Sequence, residues 1–178
     1  MLDVSYVSFI IAAMQRAFGP GRRKLSRTVC LAMGLLISAQ LACANSPDKL
    51  PPPYKQCYYN LPSEAQKTEY LKLDDSQREP YLKQTGLWDK WTALPAEERK
   101  AAMQGDVKVG FHEFAAFMAW GPPANSQGSN DRTHTYIRCS SGPKRGKYVI
   151  NNLDCDGTSS EIELTIQDDV IVEIKYLN

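Results

Sequence analysis

Apolar residues recur at three- and four-residue spacing over Phe111, Phe114, Phe117 and Met118, the period of one face of an α-helix. Gly121 stops that helix, and Pro122-Pro123 forbid its continuation. Downstream the period changes to two. Residues 132–139 and 147–155 alternate, with a turn over 141–146 between them. Ile162, Leu164 and Ile166 then face one way, and Glu161, Glu163 and Thr165 the other. Asp168-Asp169 makes a tight turn, after which Val170, Val172, Ile174 and Tyr176 are expected inward, with Glu173 and Lys175 outward. Alternation with one polar face predicts an antiparallel sheet covered on one side only.

The cover comes from the front half of the body. Asp75 or Ser76 can cap a short helix that Gly86 ends. Trp88, Trp91 and Leu94 share a helical face. Pro95, the acidic pair Glu97-Glu98 and Gly105 bracket the next helix. The fold class that follows is α+β, with short N-terminal helices packed on one face of a three- to four-stranded antiparallel meander. The polar stretch 124–132 reads as a loop. With the sheet edges, it is the expected contact surface. Trp88, Trp91 and Trp120 read as packing residues rather than a ligand platform.

Ahead of the fold lies a different pattern. Arg22, Arg23, Lys24 and Arg27 form a basic block, an apolar run covers 29–39, and Leu41-Ala42-Cys43-Ala44 follows. This is the order of an export signal. The run is about half of the ~20 residues a membrane span needs. The n-region is long, and Met14 is an alternative start. Two processing routes fit. Ala42-Cys43-Ala44 satisfies the small-residue rule, and Ala42-Cys43 matches a lipobox in which Cys43 is lipidated, although Gln40 departs from it. Residues 43–56 hold Pro47, Pro51, Pro52 and Pro53 and are expected to form an extended tether. The organisation expected is an export signal over 1–42, a tether over 43–56 and one domain over 57–178. The location implied is the cell envelope, outer membrane or periplasm, lipid-anchored in preference to freely secreted.

Charge adds one exclusion. Of 21 basic and 20 acidic residues, the first 44 positions hold five basic (Arg16, Arg22, Arg23, Lys24, Arg27) and one acidic (Asp3), so the remainder carries a net −3. Such a body offers no electrostatic footprint for nucleic acid. Cys57, Cys139 and Cys155 lie in that body. An exported chain can oxidise two of them, and three pairings exist. Strand parity favours Cys139 with Cys155, both expected on the core side.

Candidate chemistry is sparse. Asn152, Asp154, Asp156, Gly157 and Glu163 have the spacing of a twelve-residue calcium loop. Position 1 is Asn, however, and both flanks look like strands, so a plain Asn/Asp/Gly turn is the simpler expectation. His112 and His134 have no second ligand at metal spacing. No P-loop, GxSxG, HExxH or GxGxxG motif occurs. The expectation is a non-enzyme without cofactor or metal.

Val109-Gly110-Phe111, the helix behind them, Gly121-Pro122-Pro123 and the hairpin EIELTIQDDVIVEIKY together resemble the BamE (SmpA/OmlA) lipoprotein superfamily over about Val107 to Tyr176. Phe111 stands where Met is usual there, and His112 where a capping Ser or Thr is usual. The resemblance implies an envelope lipoprotein that works by binding or in envelope assembly, with a membrane contact through lipidated Cys43 and an envelope protein as partner. A soluble periplasmic or secreted inhibitor-like binder of the same fold is the alternative, and a small calcium-binding or cysteine-dependent enzyme a more distant one.

Overall fold

The computed structural model describes residues 46–177. Six short helices come first: α1 (Tyr54–Tyr59), α2 (Glu64–Tyr70), α3 (Asp75–Gln84), α4 (Leu87–Ala93), α5 (Ala96–Met103) and α6 (Glu113–Trp120). Their ends follow local chemistry. Ser63 caps α2 through Gln66 N. Asp74 and Gln77 form a reciprocal capping box on α3, so the cap lies one residue before the expected Asp75. Gly86 enters the left-handed region at φ 75° between α3 and α4.

Five strands follow: β1 (Asn125–Gln127), β2 (Arg132–Cys139), β3 (Tyr148–Val149), β4 (Ser159–Gln167) and β5 (Val170–Leu177). The antiparallel order is β1-β2-β4-β5, and the short β3 continues the β1 edge of β2. Helices before an antiparallel sheet is the α+β class the hydropathy pattern predicts. The loop expected over 124–132 contains β1, and the strand expected over 147–155 shrinks to β3 followed by a 3-10 turn, Asn152–Cys155.

Helix α6 lies between two cores, which explains why every residue after Glu113 is apolar. Ala115 and Met118 pack with Leu50, Cys57, Tyr70 and Leu82 of the helical layer. Ala116 and Trp120 pack on Tyr136, Ile162, Leu164, Ile166 and Ile171 of the sheet. The small alanines, more than the half-buried phenylalanines, let α6 approach both sides closely. His112 supplies no side-chain cap to α6. Buried Glu98 of α5 does that work, accepting from the His112 backbone N–H at 2.9 Å.

Three sequence expectations are corrected. The extended tether over 43–56 is folded where it is described: Pro47–Lys49 form a 3-10 turn, Leu50 is buried in the helical core, and α1 begins at Tyr54. Prolines there start turns and helices instead of preventing them. Second, Ile137 and Cys139 do not face the helices. Ile137 pairs with Glu161, whereas His134 and Tyr136 pair with core-facing Leu164 and Ile162. Ile137, Cys139, Cys155, Ala124 and Val149 build a separate apolar cluster on the back of the sheet. Third, a bulge between β4 and β5 shifts the hairpin parity. Ile171 is fully buried and Val172 is 40% exposed.

Candidate binding groove

A groove of about 610 Å³ opens between α1, the C-terminal turn of α6 and β3. Each wall follows from a local feature. Asn60, just after α1, donates to the Phe117 carbonyl of α6 at 2.8 Å, and Cys57 meets Met118. These contacts fix the helical wall. Trp120 is set by an indole hydrogen bond to the Gly105 carbonyl at 2.9 Å. It stacks on Tyr148 of β3 at 4.9 Å between centroids, 15° from parallel, and meets Tyr136 edge-on at 5.1 Å. Tyr148 is pushed up to about 12 by burial, so its phenol stays neutral. The 3-10 turn that carries Asp154 is tied to β2 by the Cys139–Cys155 disulfide.

The rim is basic. Lys55, Lys67, Lys144 and Lys147 line the groove, against Asp48 and Asp154. The contrast is with a body of net −3. Lys55 pairs with Asp48 at 2.8 Å and Lys67 with Glu64 at 2.8 Å. Lys144 donates to the Asp154 carbonyl at 2.6 Å. Lys147 forms no ion pair among the described residues. Gln56 also lines the groove, and its Oε1 is buried without a hydrogen-bond partner. A buried acceptor left unpaired is costly until a donor arrives. The arrangement combines aromatic surface, a rim of lysines and one open acceptor. It suits an anionic ligand carrying apolar groups and an N–H donor.

A second polar cluster joins α6 to the sheet. Arg132 grips both Glu113 oxygens, at 2.9 and 2.8 Å, and also pairs with Asp169. Glu113 further accepts from His134 Nε2, and His134 Nδ1 lies 2.9 Å from Ser126 Oγ. An ionised carboxylate only accepts, so Nε2 carries the proton. Burial acts to raise the Glu113 pKa, but hydrogen bonds from His134 and Arg132 outweigh it and hold the carboxyl below its usual range. Ser126, His134 and Glu113 follow the order of a hydrolytic triad. Ser126 sits exposed on a three-residue strand, and none of the three lines the groove. The cluster bolts the start of α6 to β2 and to the β4–β5 turn.

The sequence candidates fall as follows. Cys139 and Cys155 are joined, though by a turn on the back face and not by core-facing strands. Asn152, Asp154 and Asp156 lie in or beside the 3-10 turn, while Glu163 is on β4, beside Lys175 at 4.0 Å. Asn152 accepts from Ser159, and the Asp154 carbonyl is taken by Lys144. Among the described residues no group of three acidic, histidine or cysteine side chains could hold a metal ion. His112 is bound to Glu98 at 2.9 Å. Cys57 is a buried thiol pushed up to about 12 by desolvation. Cys43 and the export signal lie outside the described residues. No described helix is long and apolar enough to cross a membrane. Lys55, Lys144, Lys147 and Tyr148 escaped the sequence reading. The run Lys144-Arg145-Gly146-Lys147-Tyr148 was the available signal, a basic turn beside an aromatic. Compared with known proteins, the chain matches no family model, no curated protein and no solved structure.

Proposed function

We propose that this chain is an exported envelope lipoprotein, anchored through Cys43, whose folded body binds a partner protein and performs no catalysis. The groove takes an extended acidic segment of that partner, bearing an aromatic side chain. One observation carries this reading: the Trp120–Tyr148 stack set inside a lysine rim on a domain of net negative charge. Carboxylates on the segment meet Lys55, Lys144 and Lys147, its ring meets the aromatic wall, and a backbone N–H meets Gln56 Oε1. The export pattern and the BamE-like stretch support the envelope location. So does the disulfide, which belongs to oxidising compartments.

Selection from a random peptide display library tests the binding function. Wild-type protein is expected to enrich peptides rich in Asp and Glu with an interspersed Phe, Tyr or Trp, and Lys144→Glu/Lys147→Glu to lose that enrichment. Indifference to the charge reversal refutes the assignment. Intact-mass analysis of the exported protein tests the anchor. A diacylglyceryl adduct on Cys43 is expected, and a mature N-terminus at Asn45 refutes it and leaves the soluble alternative.

A further inference from the structure

The outer edge of β5 is half covered. Gly110 N donates to the Ile171 carbonyl and Ile171 N to the Phe111 carbonyl, both at 2.8 Å. Beyond Ile171, β5 has no strand partner on that side among the described residues. The groups left open follow from the ladder. Ala124 N bonds to the Thr135 carbonyl and Cys139 N to the Lys147 carbonyl, so the odd-numbered positions of β2 face β1 and β3. Even positions therefore face β4, and their partners Leu164 and Ile162 turn their backbone toward β2. Thr165, Glu163 and Glu161 turn toward β5 and meet Glu173, Lys175 and Leu177. Trans peptide geometry then directs the Val172 carbonyl, both Ile174 groups and the Tyr176 N–H outward. Tyr176 is 71% exposed and Leu177 41% exposed on this edge.

We propose that this edge pairs with the same edge of a second copy of the chain, antiparallel, on a two-fold axis through Ile174. The sequence Val-Glu-Ile-Lys-Tyr is self-complementary about that residue. Ile174 exchanges two backbone hydrogen bonds with its counterpart, and each Tyr176 N–H reaches the opposite Val172 carbonyl. Glu173 of one copy stands opposite Lys175 of the other, twice. A register centred on Lys175 would instead set two lysines directly opposite, which is destabilising. Edges that avoid pairing carry inward-pointing or like charges, most often lysines. Here the two charges have opposite sign and a spacing that matches a second copy. The interface is isologous and closes at two. It lies on β5, whereas the groove is bounded by α1, α6 and β3.

Native mass spectrometry of the exported protein, purified in detergent, tests it. Wild type is expected to be dimeric at about 100 µM. Glu173→Lys and Lys175→Glu should each weaken the dimer by about tenfold, because each creates two like-charge contacts. Mixing the two variants should restore pairing as a heterodimer, since all four cross-strand charges are then opposite. Both positions are exposed, and unchanged circular dichroism controls for folding. A monomer at every concentration overturns the proposal. So does a dimer insensitive to both variants, or a mixture with no preference for the heterodimer.

Discussion

Trp120, the last residue of α6, stacks on Tyr148 of β3 with centroids 4.9 Å apart. That contact joins the end of the central helix to a two-residue strand, and the groove forms where they meet. Trp120→Ala is expected to cost about 3–5 kcal/mol in urea unfolding, because the ring also packs on Tyr136. Tyr148→Phe keeps the stack and should stay within about 1 kcal/mol of wild type.

Glu98 caps α6 from a neighbouring helix, through His112 N. Glu98→Ala removes the acceptor from the His112 N–H at the start of α6 and is expected to cost about 1–2 kcal/mol. Glu98→Gln retains an acceptor oxygen and should lose less. Chemical denaturation of both variants checks the order.

The Glu113 carboxyl is held below its usual range by His134 and Arg132 against the opposing effect of burial. A depressed folded pKa stabilises the fold in full above the unfolded value, about 4.3. That stability is lost as pH falls through the lower folded value. Melting temperature should therefore drop below about pH 4. Glu113→Gln should flatten that acid slope while lowering stability at neutral pH. An acid slope identical to wild type contradicts the assignment.

The Cys139–Cys155 bond closes a loop with a sequence separation of 16. The double serine variant is expected to lose about 3 kcal/mol. The same change should loosen the wall that carries Lys144, Lys147 and Tyr148. Hydrogen exchange ought to rise first over residues 141–157, ahead of β4.

The hairpin, α6 and the two helices around Pro95 were legible, because their apolar periods and stop signals act locally. The parity of β5 was not. Its bulge is set by pairing with β4 and by the 110–111 segment, and this moved the inward position from Val172 to Ile171. Cys139 has the partner that parity predicts, Cys155, but lies on the back face of the sheet. Periodicity gives relative parity along β2 and does not say that the back of a sheet carries its own apolar cluster. In the tether expected over 43–56, proline density hides Leu50 and the start of α1. The groove was invisible, since its walls come from α1, α6 and the turn before β3, far apart in sequence.

The proposed occupant of the groove at Trp120 is an acidic, aromatic-bearing segment. The most direct measurement of its binding is an NMR titration of indole N–H signals with a Glu-rich peptide containing one Phe. Trp88 stacks on Tyr54 and Trp91 is buried in the helical core, so both serve as internal references. Saturable shifts at Trp120 and at the amides of Lys147 to Val149, with Trp88 and Trp91 unmoved and the effect abolished by Lys144→Glu/Lys147→Glu, are predicted. Shifts confined to other sites, or none at Trp120 with peptides selected by display, would contradict the account.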